Sequence, residues 1–395
     1  MRILIIHERY RHRGGEDAAV DAELALFTQG GVAVDLLLED NRRMPDGMGL
    51  GVARHLLWSS TGHAAATDAI RRFRPDIVHV HNTFPLLSPS VHGAAQALGV
   101  PSVQTLHNFR LFCANALLLR DGKSCETCLG HTVPWAGVVH ACYRDSIVAS
   151  AAMAALIGTH NLLGTWRRKV DRFVALSPTS ARTLVAGGLP PDRITVSPPV
   201  VPDPGPGPAQ ADHRAGALFV GRLSPEKGLA TVLAAWRLLP VPMGLDVIGD
   251  APDADGPAMD IPPGVRFLGR RTPAEVSQAM AQAALLVFPT LARENFPLVV
   301  AEAMAHGLPV LASAGGAVED MLEQGVTGAL VPPADPAAWA RAVADMMADP
   351  AALRRMGAAA RAIYEARYAP PHILAGRLAL YRRVLADRAG RTGPA

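Results

Sequence analysis

Short runs of β-branched and aliphatic residues alternate with longer Ala- and Leu-rich stretches from one end of the chain to the other, the pattern of parallel α/β layers. In the first half the runs are Ile3–Ile6, Val32–Leu38, Ile77–Val80, Ser102–Leu106, Arg172–Leu176 and Ile194–Val196. In the second half they are Ala217–Val220, Gly244–Ile248, Val265–Leu268, Leu285–Phe288, Pro309–Ala312 and Gly328–Val331. Each ends in polar or small residues, as at the carboxyl end of a parallel strand, where such sheets bind their ligands.

Between the two series the stretch from Pro198 to Pro208 reads Pro-Pro-Val-Val-Pro-Asp-Pro-Gly-Pro-Gly-Pro, which holds neither a helix nor a central strand. It predicts a first domain over residues 1–198, a linker over 199–212 and a second domain over 213–368, with a cleft between the two. Residues 369–395 open on Pro370-Pro371 and place Leu374, Leu378, Tyr381 and Leu385 on one helical face, expected to pack back across both domains. The apolar stretch Ile147–Leu163 contains His160 and Asn161 and reads as a buried helix in preference to one lying on a membrane surface.

The chain of 395 residues, 49% hydrophobic and 18% charged, is long enough for two packed cores. Its net charge of +3 gives nucleic acid no electrostatic footprint. Ile3–Ile6 is preceded by only one basic residue and reads as a strand, not as a secretion signal, and no run approaches the roughly 20 apolar residues of a spanning helix, so the expected location is cytoplasmic.

Candidate chemistry concentrates at the strand ends. After the run Leu285–Phe288, Glu294 and Glu302 bracket Asn295, Phe296, Pro297, Leu298 and Val299. Pro297 fits the first turn of a helix that Gly307 ends, and the free N–H groups near Leu298 and Val299 suit a phosphate. Glu302, one turn further, has two acceptor oxygens for a ribose diol. After Ala217–Val220, Gly221 and Arg222 lead to Pro225-Glu226-Lys227-Gly228, so two cations stand in one loop, able to stabilise a diphosphate leaving group without a metal. Neither a P-loop nor a Gly-x-Gly-x-x-Gly fingerprint is present. Asp253-Ala-Asp255 is a possible metal pair, but the cations already fill that role; Asp250, Arg270 and Arg271 read as solvated loop charges near a base pocket.

The paired-glutamate segment, the Gly-Arg-Leu-Ser-Pro-Glu-Lys-Gly loop and Gly315-Gly316-Ala-Val-Glu319 together resemble the retaining group-1 glycosyltransferases of family 4 over nearly the whole chain. The resemblance implies the GT-B fold, two Rossmann-like doubly wound domains facing a cleft. It implies transfer of a sugar from an NDP-sugar to a saccharide, lipid-linked or other acceptor, with front-face chemistry and no catalytic cofactor. By the same resemblance Arg222 and Lys227 hold the diphosphate, Glu302 the ribose and Glu294 the sugar. Asn295-Phe296-Pro297 departs from the commoner Gly-Phe-Gly wording and bears on which sugar is admitted. Gly14 and Gly15 match the family's glycine loop, and His107 its sugar-contacting histidine. His79 and His81 are expected to face opposite sides of their strand tip, so that at most one reaches the cleft.

Alternatives on this architecture are a silent NDP-sugar-binding protein, an epimerase and a sugar phosphorylase. Arg9, Arg11, Arg13, Arg42, Arg43 and Arg54 crowd the early first domain and suggest peripheral contact with the inner membrane face, or simply a solvated face. All four cysteines, Cys113, Cys125, Cys128 and Cys142, lie in one segment that resembles a cysteine-bearing insertion of a bacterial subgroup. Cys125-Glu-Thr-Cys128 has knuckle spacing, so a structural zinc is expected, with reduced or buried thiols as the alternative.

Overall fold

The computed structural model describes residues 1–11, 13–43, 55–205, 214–250 and 261–392. They fall into two compact units, one drawn from residues 1–118, 125–200 and 370–395, the other from 119–124 and 201–369.

The first unit is built on strands β1 (Arg2–Arg9), β2 (Ala33–Asp40), β3 (Ile77–Val80), β4 (Ser102–Leu106), β5 (Arg172–Ala175) and β6 (Ile194–Val196). All pair in parallel, in the order β2-β1-β3-β4-β5-β6. Strand alternation sends Leu4 and Ile6 into one core, with Ile70, Val80 and Val91, and Ile3 and Ile5 into another, with Val20, Phe27 and Tyr381. Tyr381 comes from the terminal helix Pro370–Thr392, which buries Leu380, Tyr381 and Val384 in that second core.

β1 runs beyond the apolar stretch that announces it, because its register with β2 carries on to Arg9 opposite Asp40. His7 and Glu8 are therefore buried in the sheet. The helix Ile147–Leu162 buries Ala149, Met153, Ala154 and Ile157 but leaves Ile147, Val148 and Leu162 in solvent, so only one face is covered. Among the described residues no helix is long and apolar enough to cross a membrane.

The second unit repeats the architecture with β7 (Ala217–Val220), β8 (Leu245–Ile248), β9 (Val265–Gly269), β10 (Leu285–Phe288), β11 (Val310–Ser313) and β12 (Gly328–Val331). Their order, β9-β8-β7-β10-β11-β12, is the doubly wound one. Phe219, Val247, Leu285 and Val287 from the sheet pack with Val232, Trp236 and Trp339 from the helices. In such a sheet the chain reverses direction between β7 and β10, and the loops leaving those two strands diverge into an open crevice.

Candidate functional site

In the second unit both loops at that crevice carry the residues singled out by the sequence. The β7 loop turns through a short 3-10 segment, Pro225–Lys227, and closes on Gly228 at φ +71. Only glycine serves there, since a Cβ would stand 1.9 Å from the Pro289 carbonyl oxygen. The β10 loop is tied to it by the Leu291 N–H donating to the Glu226 carbonyl at 2.8 Å.

This tie brings Lys227 Nζ to 2.6 Å from Glu294 Oε1, both side chains mostly sheltered. Thr290 Oγ1 is 3.3 Å from the same oxygen. Arg222 is treated differently: it is largely exposed and bonds Glu226 Oε1 at 3.1 Å. Ser224 donates to the same Glu226 oxygen at 2.6 Å. Lys227, Glu294 and Thr290 thus form one polar cluster, joined through the Glu226 carbonyl to a second made by the Glu226 carboxylate with Arg222 and Ser224; Glu226 and Thr290 were not among the site residues the sequence pattern named. Their signal was the position of each beside a strand end.

Behind the cluster the helix Leu298–Ala305 begins with Pro297 as its cap residue, one position earlier than a first-turn proline. Asn295, Phe296 and Pro297 are buried, which fixes the helix start, and Phe296 packs edge-on to Tyr368. Glu302 is half-buried one turn in, and loss of hydration raises its carboxyl above the ordinary range. Gly316, at φ +71, lies against the Glu294 backbone, and the Ala317 N–H donates to the Glu294 carbonyl at 3.0 Å, so the glycine pair holds that carboxylate's loop in place. Arg270 pairs with Asp250 at 3.7 Å and Arg271 with Glu275 at 3.8 Å, as solvated loop charges do. Asp253 and Asp255 lie outside the described residues.

The first unit has a cavity of about 80 Å³ beyond the ends of β3 and β4. Glu16, His81, Gln104, His107, Asn108 and Arg110 supply polar lining, and Phe84 and Trp166 an aromatic wall. Gly14 caps the helix Gly15–Gln29 in an extended conformation open to any residue, and a Cβ there would meet nothing within 4 Å. Within the protein nothing crowds Gly14, so no contact among the described residues calls for a glycine there. Instead the turn delivers carboxylates: Asp17 accepts from the Gly14 N–H at 2.9 Å and meets His7 Nε2 at 2.9 Å, while Glu16 accepts from Asn108 Nδ2 at 2.7 Å. Glu8 accepts from the N–H groups of Leu86 and Leu87 at 2.8 and 2.9 Å, yet burial still pushes its pKa up to about 7.

His79 and His81 do not face opposite sides. Residues two apart in a strand share a face, and the two rings lie 4.4 Å apart. Both reach Glu23 on the helix Gly15–Gln29, His79 Nδ1 at 3.4 Å and His81 Nε2 at 3.7 Å. Glu23, His79 and His81 are close enough for a metal ion, but Arg377 Nε already stands 3.1 Å from Glu23 Oε1 and Tyr381 Oη 2.7 Å from His79 Nδ1. A second cation beside that guanidinium has no charge left to balance it.

The four cysteines form no disulfide. Among the described residues Glu23, His79 and His81 are the only metal-ligand group of three or more within 4.8 Å of one another, so the thiols are not gathered as a four-sulfur zinc site requires. Cys113 is buried and its thiol pKa is raised by that burial. Of the early arginines, Arg9 and Arg13 pair with Asp21 and Arg42 with Asp40. Two local acids thus serve these three arginines, Asp21 being shared between Arg9 and Arg13, while Arg54 lies outside the described residues.

Two doubly wound parallel units, one with a lysine–carboxylate pair at its switch point, define the GT-B class. Residues 23–203 match glycosyltransferase family 4 and residues 214–349 match the glycosyl transferases group 1. The chain belongs to these group-1 glycosyltransferases of the GT-B fold. It is 34% identical over 193 residues to the D-inositol 3-phosphate glycosyltransferase of Mycolicibacterium vanbaalenii, a stretch covering 44% of this chain and 42% of that protein. The chain thus spans less than half the length of that relative. Its fold matches HepE of Anabaena in complex with UDP at a TM-score of 0.65 and 17% identity, over 96% of this chain and 100% of that one. It matches sucrose-phosphate synthase of Thermosynechococcus elongatus at 0.70 and 20% identity, over 98% and 99%.

Proposed function

We propose that this protein transfers a sugar from an NDP-sugar to a hydroxyl acceptor with retention of configuration and without a catalytic metal. The observation that carries the reading is the Lys227–Glu294 contact at the β7/β10 switch point, beside the start of the helix Leu298–Ala305. A diphosphate leaving group gains negative charge on its bridging oxygen as the glycosidic bond breaks. Lys227, Arg222 and the first-turn N–H groups would stabilise that charge, already oriented before the reaction. Glu294 would hold the sugar and balance the growing positive charge at its anomeric carbon, and Glu302 would accept from the ribose hydroxyls. His107, which lines the first unit's own cavity, would contact a sugar hydroxyl there.

No nucleophile is assigned to a covalent intermediate, so the acceptor hydroxyl would attack the face the diphosphate leaves, passing its proton to a departing phosphate oxygen. A uridine donor is the first to try, given the UDP held by the structural relative. A phosphorylated polyol is the first acceptor to try, given the name of the sequence relative; a lipid-linked saccharide comes second.

Calorimetry across nucleotide sugars, followed by NMR of the product's anomeric signal with EDTA present, tests the reading. Binding of one NDP-sugar and transfer with retained configuration are expected. An inverted product, strict dependence on Mg²⁺, or conversion of donor into a second NDP-sugar without acceptor would overturn it.

A further inference from the structure

His107 stands at the head of a buried line of polar groups, and the line has a direction. Arg377 Nε, from the terminal helix, is 3.1 Å from Glu23 Oε1. Glu23 Oε2 is 3.7 Å from His81 Nε2, and His81 Nδ1 is 2.9 Å from His107 Nε2. His81 and His107 both line the cavity, but His107 is the more exposed of the two, at intermediate burial, while Glu23 and His81 are at most 5% exposed.

We propose that Glu23, acting through His81, fixes the tautomer of His107 so that its Nδ1 is presented to the cavity as a hydrogen-bond acceptor for a ligand hydroxyl. Glu23 and His81 are thus positioning residues for His107. The argument runs along the line one proton at a time. A neutral imidazole has one N–H and one lone pair. His81 Nε2 has no hydrogen-bond partner and faces the Glu23 carboxylate at 3.7 Å, so a lone pair there would be repelled by Glu23 while an N–H dipole points favourably at it. With the proton on Nε2, His81 Nδ1 is an acceptor, and His107 must donate to it from Nε2. The nitrogen left over is His107 Nδ1.

The scheme needs both rings neutral. The groups around them are His7 on β1, Glu16 and Glu23 on the helix Gly15–Gln29, His79 in β3 and His81 just after it, and Arg377 and Tyr381 on the terminal helix. Burial first, then the neighbouring imidazoles, lowers His81 well below the usual histidine range, and burial lowers His107. Glu23 stays ionised: burial would raise its carboxyl, but Arg377 and His79 outweigh that and hold it at about 2.

That a sugar hydroxyl is the ligand rests on the proposed function; the tautomer itself does not. The test is ¹⁵N NMR of the histidine-labelled full chain at neutral pH, without donor or acceptor. Nε2 of both His81 and His107 is expected to be pyrrole-type and Nδ1 of both pyridine-type. In Glu23→Gln, Arg377 should hold the carboxamide oxygen and turn its NH₂ toward His81, reversing both tautomers. A pyrrole-type Nδ1 on His107 in the unaltered chain overturns the proposal even if the variant does not fold. A folded Glu23→Gln chain with His107 unchanged overturns the role of Glu23. Because nitrogen shifts are read without turnover, a failure of the sugar-transfer reading would leave this result standing.

Discussion

Replacing Arg377 by Met removes the only cation within 4.0 Å of the Glu23 carboxylate among the described ion pairs of Lys and Arg. Glu23 is held at about 2 against an ordinary 4.5, where burial would otherwise raise it and Arg377 is the leading opposing influence. That depression corresponds to about 3 kcal/mol of folded-state stability. Stripping one partner from a buried pair costs about 3 to 5 kcal/mol, so the two routes agree. A depressed carboxyl stabilises the fold above its unfolded pKa and stops doing so as pH falls through its folded one. In Arg377→Met burial is left to raise the Glu23 carboxyl, so the difference between the two chains should be full only above the variant's raised pKa and should shrink as pH falls from there to about 2. Because the chain has two units, the measurement is amide exchange of β1 and β3 under increasing urea, which reports the first unit's opening. A loss under about 1 kcal/mol at pH 7, or a pH-independent difference, would show that the pair is not what holds this core charge in place.

The second unit yields further tests. Lys227→Ala should lower turnover about 10²- to 10³-fold, the effect of losing one oriented electrostatic donor, whereas Arg222→Ala, at an exposed position, should cost less; equal losses in steady-state assays would refute the distinction. Glu302→Gln should weaken nucleotide binding in calorimetry, and Glu294→Gln should lower turnover with nucleotide affinity kept, so the reverse pattern would exchange their roles. Gly228→Ala places a Cβ against the Pro289 carbonyl at positive φ and should destabilise the second unit by more than about 1 kcal/mol in urea unfolding; an unchanged midpoint would show that the loop relaxes freely. Elemental analysis of the untagged protein checks the cysteines: about one zinc per chain would mean the segment rearranges to bind it, and four titrating thiols without metal is what the present geometry supports.

The strands were legible in the sequence because a parallel strand covered on both faces is apolar along its length, and Ile77–Val80, Ser102–Leu106, Leu285–Phe288 and Gly328–Val331 stand in the structure with the bounds the pattern gave. Loop chemistry at their carboxyl ends was legible for the same reason, since a strand's end dictates where a loop opens. The pairings were not legible. Lys227 meets Glu294 rather than sharing a site symmetrically with Arg222, because β7 and β10 are neighbours only through the crossover of the sheet. His7 and Glu8 stand at the polar end of a strand, yet β2 beside them and the segment after β3, whose Leu86 and Leu87 N–H groups bond Glu8, bury them. Nothing in the sequence pattern singles out Glu23; only folding brings it against His79 of β3 and an arginine near the far end of the chain. Local sequence determines where the chain can be a strand, a turn or a helix, because those preferences depend on near neighbours. Which charges share a buried site was decided by tertiary structure, because burial makes an unpaired charge costly and the partners that relieve that cost come from distant parts of the chain.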